Sequence, residues 1–212
     1  MNAVSFYLLI AHHRFKPTLY VGLKQIVFLG AGYDTRSYRF IDKIKSTKIY
    51  ELDISSTQQN KIEALQKHNV PIPESLSFIP INFKTEKIQN VLMAAGYDSS
   101  KKTLFIWEGV SYYLPKDAVD ETLQFISTNS TNGSILCFDY LTEKLESIRA
   151  SEPFLFWITP EQMIVFLSSY SLKVLDHLDS TEMQKRYLTL HDGTFAEKIL
   201  SSFRFVEAIV EK

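Results

Sequence analysis

Residues 25–40 read QIVFLGAGYDTRSYRF. Ile26, Val27, Phe28 and Leu29 form an apolar run without alternation, as expected of a parallel strand covered on both faces. Gly30, Ala31 and Gly32 follow at once. A residue without a Cβ can turn sharply and let a ligand approach the backbone. Asp34 or Thr35 can then cap the next helix, whose unpaired N–H groups face the turn. Strand, glycine turn and helix together make the seat for a nucleotide-like ligand at the mouth of a doubly wound sheet. Two glycines in a tight turn would also meet a purely local need.

Outward from this stretch the chain alternates strands and helices. Residues 47–53 (TKIYELD) read as a second strand ending on Glu51 and Asp53, two residues apart and so on one face. A carboxylate at this place can accept two hydrogen bonds from a ribose diol, or it can cap the following helix. That helix starts at Ser55 or Ser56 and runs to about His68, with Ile62 and Leu65 expected on its buried face. Residues 76–83 (LSFIPINF) form a third strand, and Pro80 inside it argues for a sheet edge. A helix over 84–95 then ends near Gly96. Residues 102–108 (KTLFIWE) form a fourth strand that stops at Glu108. A buried glutamate there is costly unless a cation or donor meets it, whether from a ligand, a helix end or a lysine.

Pro115 opens a helix with Val119, Leu123 and Ile126 as its buried stripe. Residues 134–140 (SILCFDY) form a fifth strand ending at Asp139 and Tyr140. Thr159, Pro160 and Gln162 make a capping-box start, followed by Met163, Phe166, Leu167 and Tyr170 as a core face. Residues 171–178 read as a sixth strand, and the alternating run FRFVEAIVE (203–211) as an antiparallel one. Near the N-terminus, residues 4–14 predict a helix carrying Phe6, Leu9, Ile10 and His13, ended or kinked by Pro17.

With 212 residues, a net charge of −1 and one cysteine, the composition is that of a single globular domain. We divide it into an N-terminal helical segment (1–22) and a Rossmann-like core (23–212). The charge balance offers no argument for nucleic acid or an anionic membrane surface. No apolar run approaches the roughly 20 residues of a membrane span, and no signal peptide is read, so the expected location is cytoplasmic. Cys137 lies in an apolar run and reads as an inert buried thiol. Adjacent helical residues face apart, so His12 and His13 do not make a metal site, and no metal is expected.

Three strings, LGAGYDTR (29–36), YELD (50–53) and FIWEGVSYYL (105–114), resemble the leucine carboxyl methyltransferase and polyketide O-methyltransferase-like family. The resemblance runs from about Phe6 to the C-terminus, with a shortened N-terminal portion and a shortened insert after the fifth strand. It implies a class I methyltransferase fold: an α/β doubly wound, seven-stranded, mostly parallel sheet with an antiparallel C-terminal strand. It implies S-adenosyl-L-methionine as cofactor and in-line methyl transfer to a carboxylate or hydroxyl of a small-molecule acceptor. Carried over residue by residue, Gly30, Ala31 and Gly32 give backbone approach and Asp53 the ribose contact. Asn82 and Phe83 stand where the family has an aspartate and an apolar residue against adenine. Glu108 serves the methionine end. Asp34 and Arg36 belong to the glycine motif, as a contact to the cofactor ammonium or as braces of the loop. Tyr112 and Tyr113 fall near the acceptor or pack the core, and His12, His13 and Arg14 are the nearest candidates for a family arginine that holds the cofactor carboxylate, of which Arg14 could serve.

Among His13, Tyr112 and His191 no spacing singles out a general base, and none is needed for an ionised carboxylate acceptor. Two other readings fit parts of the pattern. Gly30, Gly32 and Asp53 suit a nicotinamide dinucleotide as well, although Thr35 stands at the third glycine position and no substrate domain is in view. A catalytically silent domain that keeps the fold is the other.

Overall fold

The computed structural model describes residues 23–40, 47–146 and 152–212. The expected N-terminal helix, with His12, His13 and Arg14, lies outside the described residues. Chain order within them is β1 (Gln25–Leu29), α1 (Arg36–Arg39), β2 (Lys48–Asp53), α2 (Ser55–Lys67), β3 (Leu76–Pro80), α3 (Ile88–Ala94) and β4 (Thr103–Trp107). A 3-10 turn (Ser111–Tyr113), α4 (Lys116–Thr128), β5 (Ile135–Leu141), α5 (Pro160–Ser168), β6 (Leu172–Leu178), α6 (Ser180–Tyr187) and β7 (Phe203–Val210) complete it.

The strands form one seven-stranded sheet in the order β3-β2-β1-β4-β5-β7-β6. β1 pairs in parallel with β2 and β4, β2 with β3, and β4 with β5. β7 runs antiparallel between β5 and β6. β3 is the edge strand that Pro80 required, since a central strand has no room for a residue lacking its N–H. β6 is antiparallel to β7 and so points the same way as β5. Its connection to β7, residues 179–202, therefore emerges at the carboxyl edge of the parallel strands.

Side chains alternate between the two faces of the sheet. Val27, Leu29, Phe105, Trp107, Leu136 and Phe138 face one core, closed by Leu92 of α3, Val119, Leu123 and Ile126 of α4, and Met163 and Leu167 of α5. Ile26, Phe28, Leu104, Ile106 and Cys137 face the other, where Met183 of α6, Leu188 and Ile199 are packed. The stripe expected on α4 is the observed one, and the capping box of Thr159 and Gln162 forms as expected.

Several local expectations are corrected. The third strand ends at Pro80, and α3 begins at Ile88 because residues 82–86 are taken up by a turn on the Asn82 carbonyl. Neither Ser55 nor Ser56 caps α2; Ile54 holds that position without a side-chain bond. The fully buried positions of α2 are Gln58 and Lys61, with Ile62 and Leu65 only partly covered. Polar side chains turn inward there because they meet buried acceptors: Gln58 Nε2 donates to the carbonyls of Glu51 (2.7 Å) and Ile79 (2.9 Å), and Lys61 pairs with the Glu51 carboxylate. α6, between the last two strands, was not expected. Among the described residues no helix is long and apolar enough to cross a membrane.

Candidate functional site

The glycine turn is tied to the end of β2. The N–H groups of Gly30 and Ala31 both donate to the Leu52 carbonyl at 2.8 Å. Gly30 has a φ of +81°, and a Cβ there would stand 2.3 Å from Val110 Cγ2. Gly32 has a φ of +48° with nothing within 4 Å of where its Cβ would be. The first glycine is thus demanded by the protein, whereas the second opens onto free space.

Asp53 closes one side of this turn. Its Oδ2 accepts from Gly32 N at 2.6 Å and its Oδ1 from Ile54 N at 2.7 Å. Burial raises its pKa, opposed by these two N–H groups. Ile54, beside it at the start of α2, leaves 47% of its surface exposed. Glu51, on the same face, is fully enclosed: Ser37 Oγ donates to its Oε1 at 2.6 Å and Lys61 Nζ to its Oε2 at 2.5 Å. Glu51 therefore braces α1 and α2 rather than facing the crevice.

Asp34, not Thr35, satisfies the start of α1. Its Oδ1 accepts from Arg36 N and its Oδ2 from Arg36 Nε, both at 2.7 Å, while the Thr35 side chain makes no capping bond. Arg36 is buried, lies 5.1 Å over the Phe28 ring, and donates through Nη2 to Glu108 Oε2 at 2.9 Å. The other oxygen of Glu108, Oε1, is buried and has no hydrogen-bond partner among the described residues. Burial pushes the Glu108 pKa from an ordinary 4.5 up to about 7, against the pull of Arg36.

Asp139, at the end of β5, was noted in the sequence only as a strand terminus. Both of its oxygens accept from Gly109 N, at 2.9 and 3.1 Å, and burial and then Glu108 raise its pKa well above the usual carboxylate range. The sequence did contain a signal: like Glu108, it is a carboxylate closing an apolar strand.

Asn82 and Phe83 follow β3, held at the same edge by the bond from Ile81 N to the Asp53 carbonyl at 2.8 Å. The Asn82 Oδ1 accepts from Lys84 N at 3.0 Å, and Phe83 is half-buried against the first core. Tyr112 is buried among Tyr113, Phe154 and Phe203, with ring centroids 4.7, 5.4 and 5.6 Å away. Its hydroxyl lies 3.9 Å from where a Cβ on Gly109 would stand. Tyr113 is half-buried, and His191 is exposed on a turn in the β6–β7 connection. The first six candidates, Gly30, Ala31, Gly32, Asp34, Arg36 and Asp53, thus share one edge of the sheet with Glu108. An apolar groove of about 870 Å³ between α4 and α5, lined by Lys116, Leu155, Trp157, Ile158, Val165 and Phe166, contains none of them.

Comparison with known proteins gives the family and the fold. Residues 9–127 match the family described as leucine carboxyl methyltransferase. YktD of Bacillus subtilis (strain 168), named as a candidate S-adenosyl-L-methionine-dependent methyltransferase, is 28% identical over 186 residues, covering 81% of this chain and 61% of YktD. A similarly named protein of Frankia alni is 33% identical over 113 residues, 53% of this chain and 39% of that protein. The chain thus spans under two thirds of the length of these relatives. Among solved structures, the glycopeptide N-methyltransferase MtfA complexed with S-adenosylmethionine matches with a TM-score of 0.60 at 12% identity, over 97% of this chain and 94% of MtfA. The mitomycin 7-O-methyltransferase MmcR matches with a TM-score of 0.59 at 13% identity, over 99% of this chain and 55% of MmcR. The sheet order and these likenesses identify the fold as that of class I methyltransferases.

Proposed function

The chain belongs to the leucine carboxyl methyltransferase family, and from that premise we propose that it is an S-adenosyl-L-methionine-dependent methyltransferase acting on an oxygen of a small-molecule acceptor. The observation that carries the reading is Glu108 Oε1, a buried acceptor without a donor, at the same sheet edge as the open side of Gly32. A buried unpaired carboxylate oxygen costs free energy that a cationic donor from a ligand would recover. The residues present fit the cofactor.

Gly32 and Ala31 let the ligand approach the backbone. Asp53 receives the ribose hydroxyls: each of its oxygens takes one N–H and retains a lone pair for a second donor. Phe83 and the exposed Ile54 offer apolar surface to the adenine, and Asn82 a polar edge. Glu108 takes the ammonium of the methionine end, held in place by Arg36, which Asp34 aligns in turn. Tyr112 and Tyr113, three and four residues beyond Gly109, border the acceptor side. The cofactor, when bound, supplies a methyl group already activated by its positive sulfur. The residues around it then have to align acceptor and methyl, an effect worth on the order of 7–11 kcal/mol in the best cases. An ionised carboxylate acceptor needs no general base, and the reading assigns none.

The sheet itself speaks against the dinucleotide alternative. Dinucleotide-binding folds run parallel in the order 3-2-1-4-5-6, whereas here an antiparallel β7 is inserted between β5 and β6. The test is methyl-labelled cofactor offered with a panel of small carboxylic acids, phenols and amines. Label recovered as a base-labile ester or a stable aryl ether supports oxygen as the acceptor; label on nitrogen contradicts it.

A further inference from the structure

We infer that Asp139 is a positioning residue of the cofactor site, forming with Glu108 a buried carboxyl pair that shares a proton until a cationic group enters, so that ligand binding expels that proton. The inference rests on the methyltransferase reading and adds to it a group and an ionic event.

The pairing follows from strand register. β4 and β5 are parallel, with Trp107 opposite Phe138. The next residues, Glu108 and Asp139, extend the same register one step further, toward the face opposite Trp107 and Phe138, on strands about 4.8 Å apart. Both are enclosed: Asp139 is 1% exposed and the Glu108 side chain 7%. The cation that reaches Glu108 is Arg36, and it is already committed to Asp34. Asp34 and Glu108 thus share one guanidinium, and the polar contact of the Asp139 carboxyl is the Gly109 N–H. Two carboxyls side by side in such surroundings do not both ionise; they titrate as a pair.

The other charged or titratable groups nearby do not change this count. On β7 the residue opposite Asp139 is Phe205; Arg204 pairs opposite Tyr140, on the other face, and Glu207 opposite Cys137. From the 3-10 turn comes Tyr112, whose hydroxyl lies near Gly109. Asp139 also fixes the chain just after Glu108, since both its oxygens accept from Gly109 N, and Ser111 Oγ donates to its carbonyl. The unpartnered Glu108 Oε1 is then the acceptor left for an ammonium. When that group donates to it, a second cation joins Arg36 at Glu108, and the shared proton leaves to solvent.

The experiment is calorimetry of S-adenosylhomocysteine binding to the full chain near pH ~6.5, in buffers of different ionisation enthalpy, with Asp139→Asn beside it. The wild type is expected to release about half to one proton, seen as a binding enthalpy that varies with the buffer, and to bind several-fold more weakly as pH falls from about 8 to about 6. Asp139→Asn keeps an acceptor for Gly109 N but removes the second acid. It is expected to lose both the release and the pH dependence. A buffer-independent enthalpy in the wild type, or unchanged release in Asp139→Asn, overturns the pair while leaving the cofactor assignment standing. Should that variant not fold, Asp139→Ser, which removes the acid with a smaller side chain, is measured in its place. No binding by the folded wild type overturns the cofactor assignment and the pair with it.

Discussion

Arg36 donates to Glu108 at 2.9 Å across 72 residues of sequence, joining the one-turn helix after the glycine motif to the end of β4. The same guanidinium holds Asp34. One buried cation thus ties together the two strings that contain the family's glycine and glutamate motifs. Removing it by Arg36→Ala would leave two buried carboxylates uncompensated, and a loss of about 3–5 kcal/mol in unfolding free energy is expected. Arg36→Lys should restore little of it, since an ammonium cannot reproduce the planar fork that spans both acids. Denaturant titration of the three proteins checks this.

Glu108 makes stability depend on pH with a definite sign. Its folded pKa of about 7 lies above the ordinary 4.5, so between those values the folded chain holds a proton that the unfolded chain has lost. Stability contributed by this group is present at low pH and is lost as pH rises toward 7. Glu108→Gln is neutral throughout. The stability of Glu108→Gln relative to wild type should therefore rise between pH ~5 and ~8, by up to about 3 kcal/mol. A flat difference would contradict a Glu108 carboxyl whose burial outweighs the pull of Arg36.

The two glycines of the turn should separate under substitution. Gly30→Ala places a Cβ 2.3 Å from Val110 at a φ of +81°, so it should destabilise the fold itself. Gly32→Ala meets nothing within 4 Å among the described residues and carries the left-handed penalty of about 1–2 kcal/mol. Its expected larger effect is on S-adenosylhomocysteine affinity, through the space the ligand needs. Melting temperatures and binding constants of the two variants, measured together, check the division.

Lys61 and Glu51 form a buried pair on α2 and β2. Lys61→Met alone should cost about 3–5 kcal/mol, because it strands the Glu51 carboxylate, whereas Lys61→Met with Glu51→Gln should recover much of the loss. The comparison is a double-mutant cycle read by thermal or denaturant unfolding.

These relationships also show which features a sequence can carry. Uninterrupted apolar runs marked β1, β4 and β5 because parallel strands are buried on both sides, and Pro80 placed β3 at the edge. Asp53 and Glu108 were legible as acids closing such runs, and Asp139 could have been read in the same way. The inner face of α2 was not legible from apolar spacing, since Gln58 and Lys61 turn inward toward the Glu51 carbonyl and carboxylate, acceptors on another element. α6 escaped notice because Met183 is its one buried residue, yet Asp179 accepts from Glu182 N at 2.8 Å, a cap visible in the order of residues. The bond from Arg36 to Glu108 depends on β1 and β4 lying side by side, which local pattern does not reveal.

The most direct test of the central claim is calorimetric binding of S-adenosylhomocysteine to the folded chain, beside NADH and an Asp53→Ala control whose fold is checked by circular dichroism. Asp53 receives N–H groups on both oxygens at the mouth of the glycine turn, so its removal strikes the proposed cofactor seat directly. Micromolar binding of S-adenosylhomocysteine, weakened at least tenfold in Asp53→Ala and not matched by NADH, is the expected result. A folded chain that ignores S-adenosylhomocysteine, or that prefers NADH, would contradict the assignment.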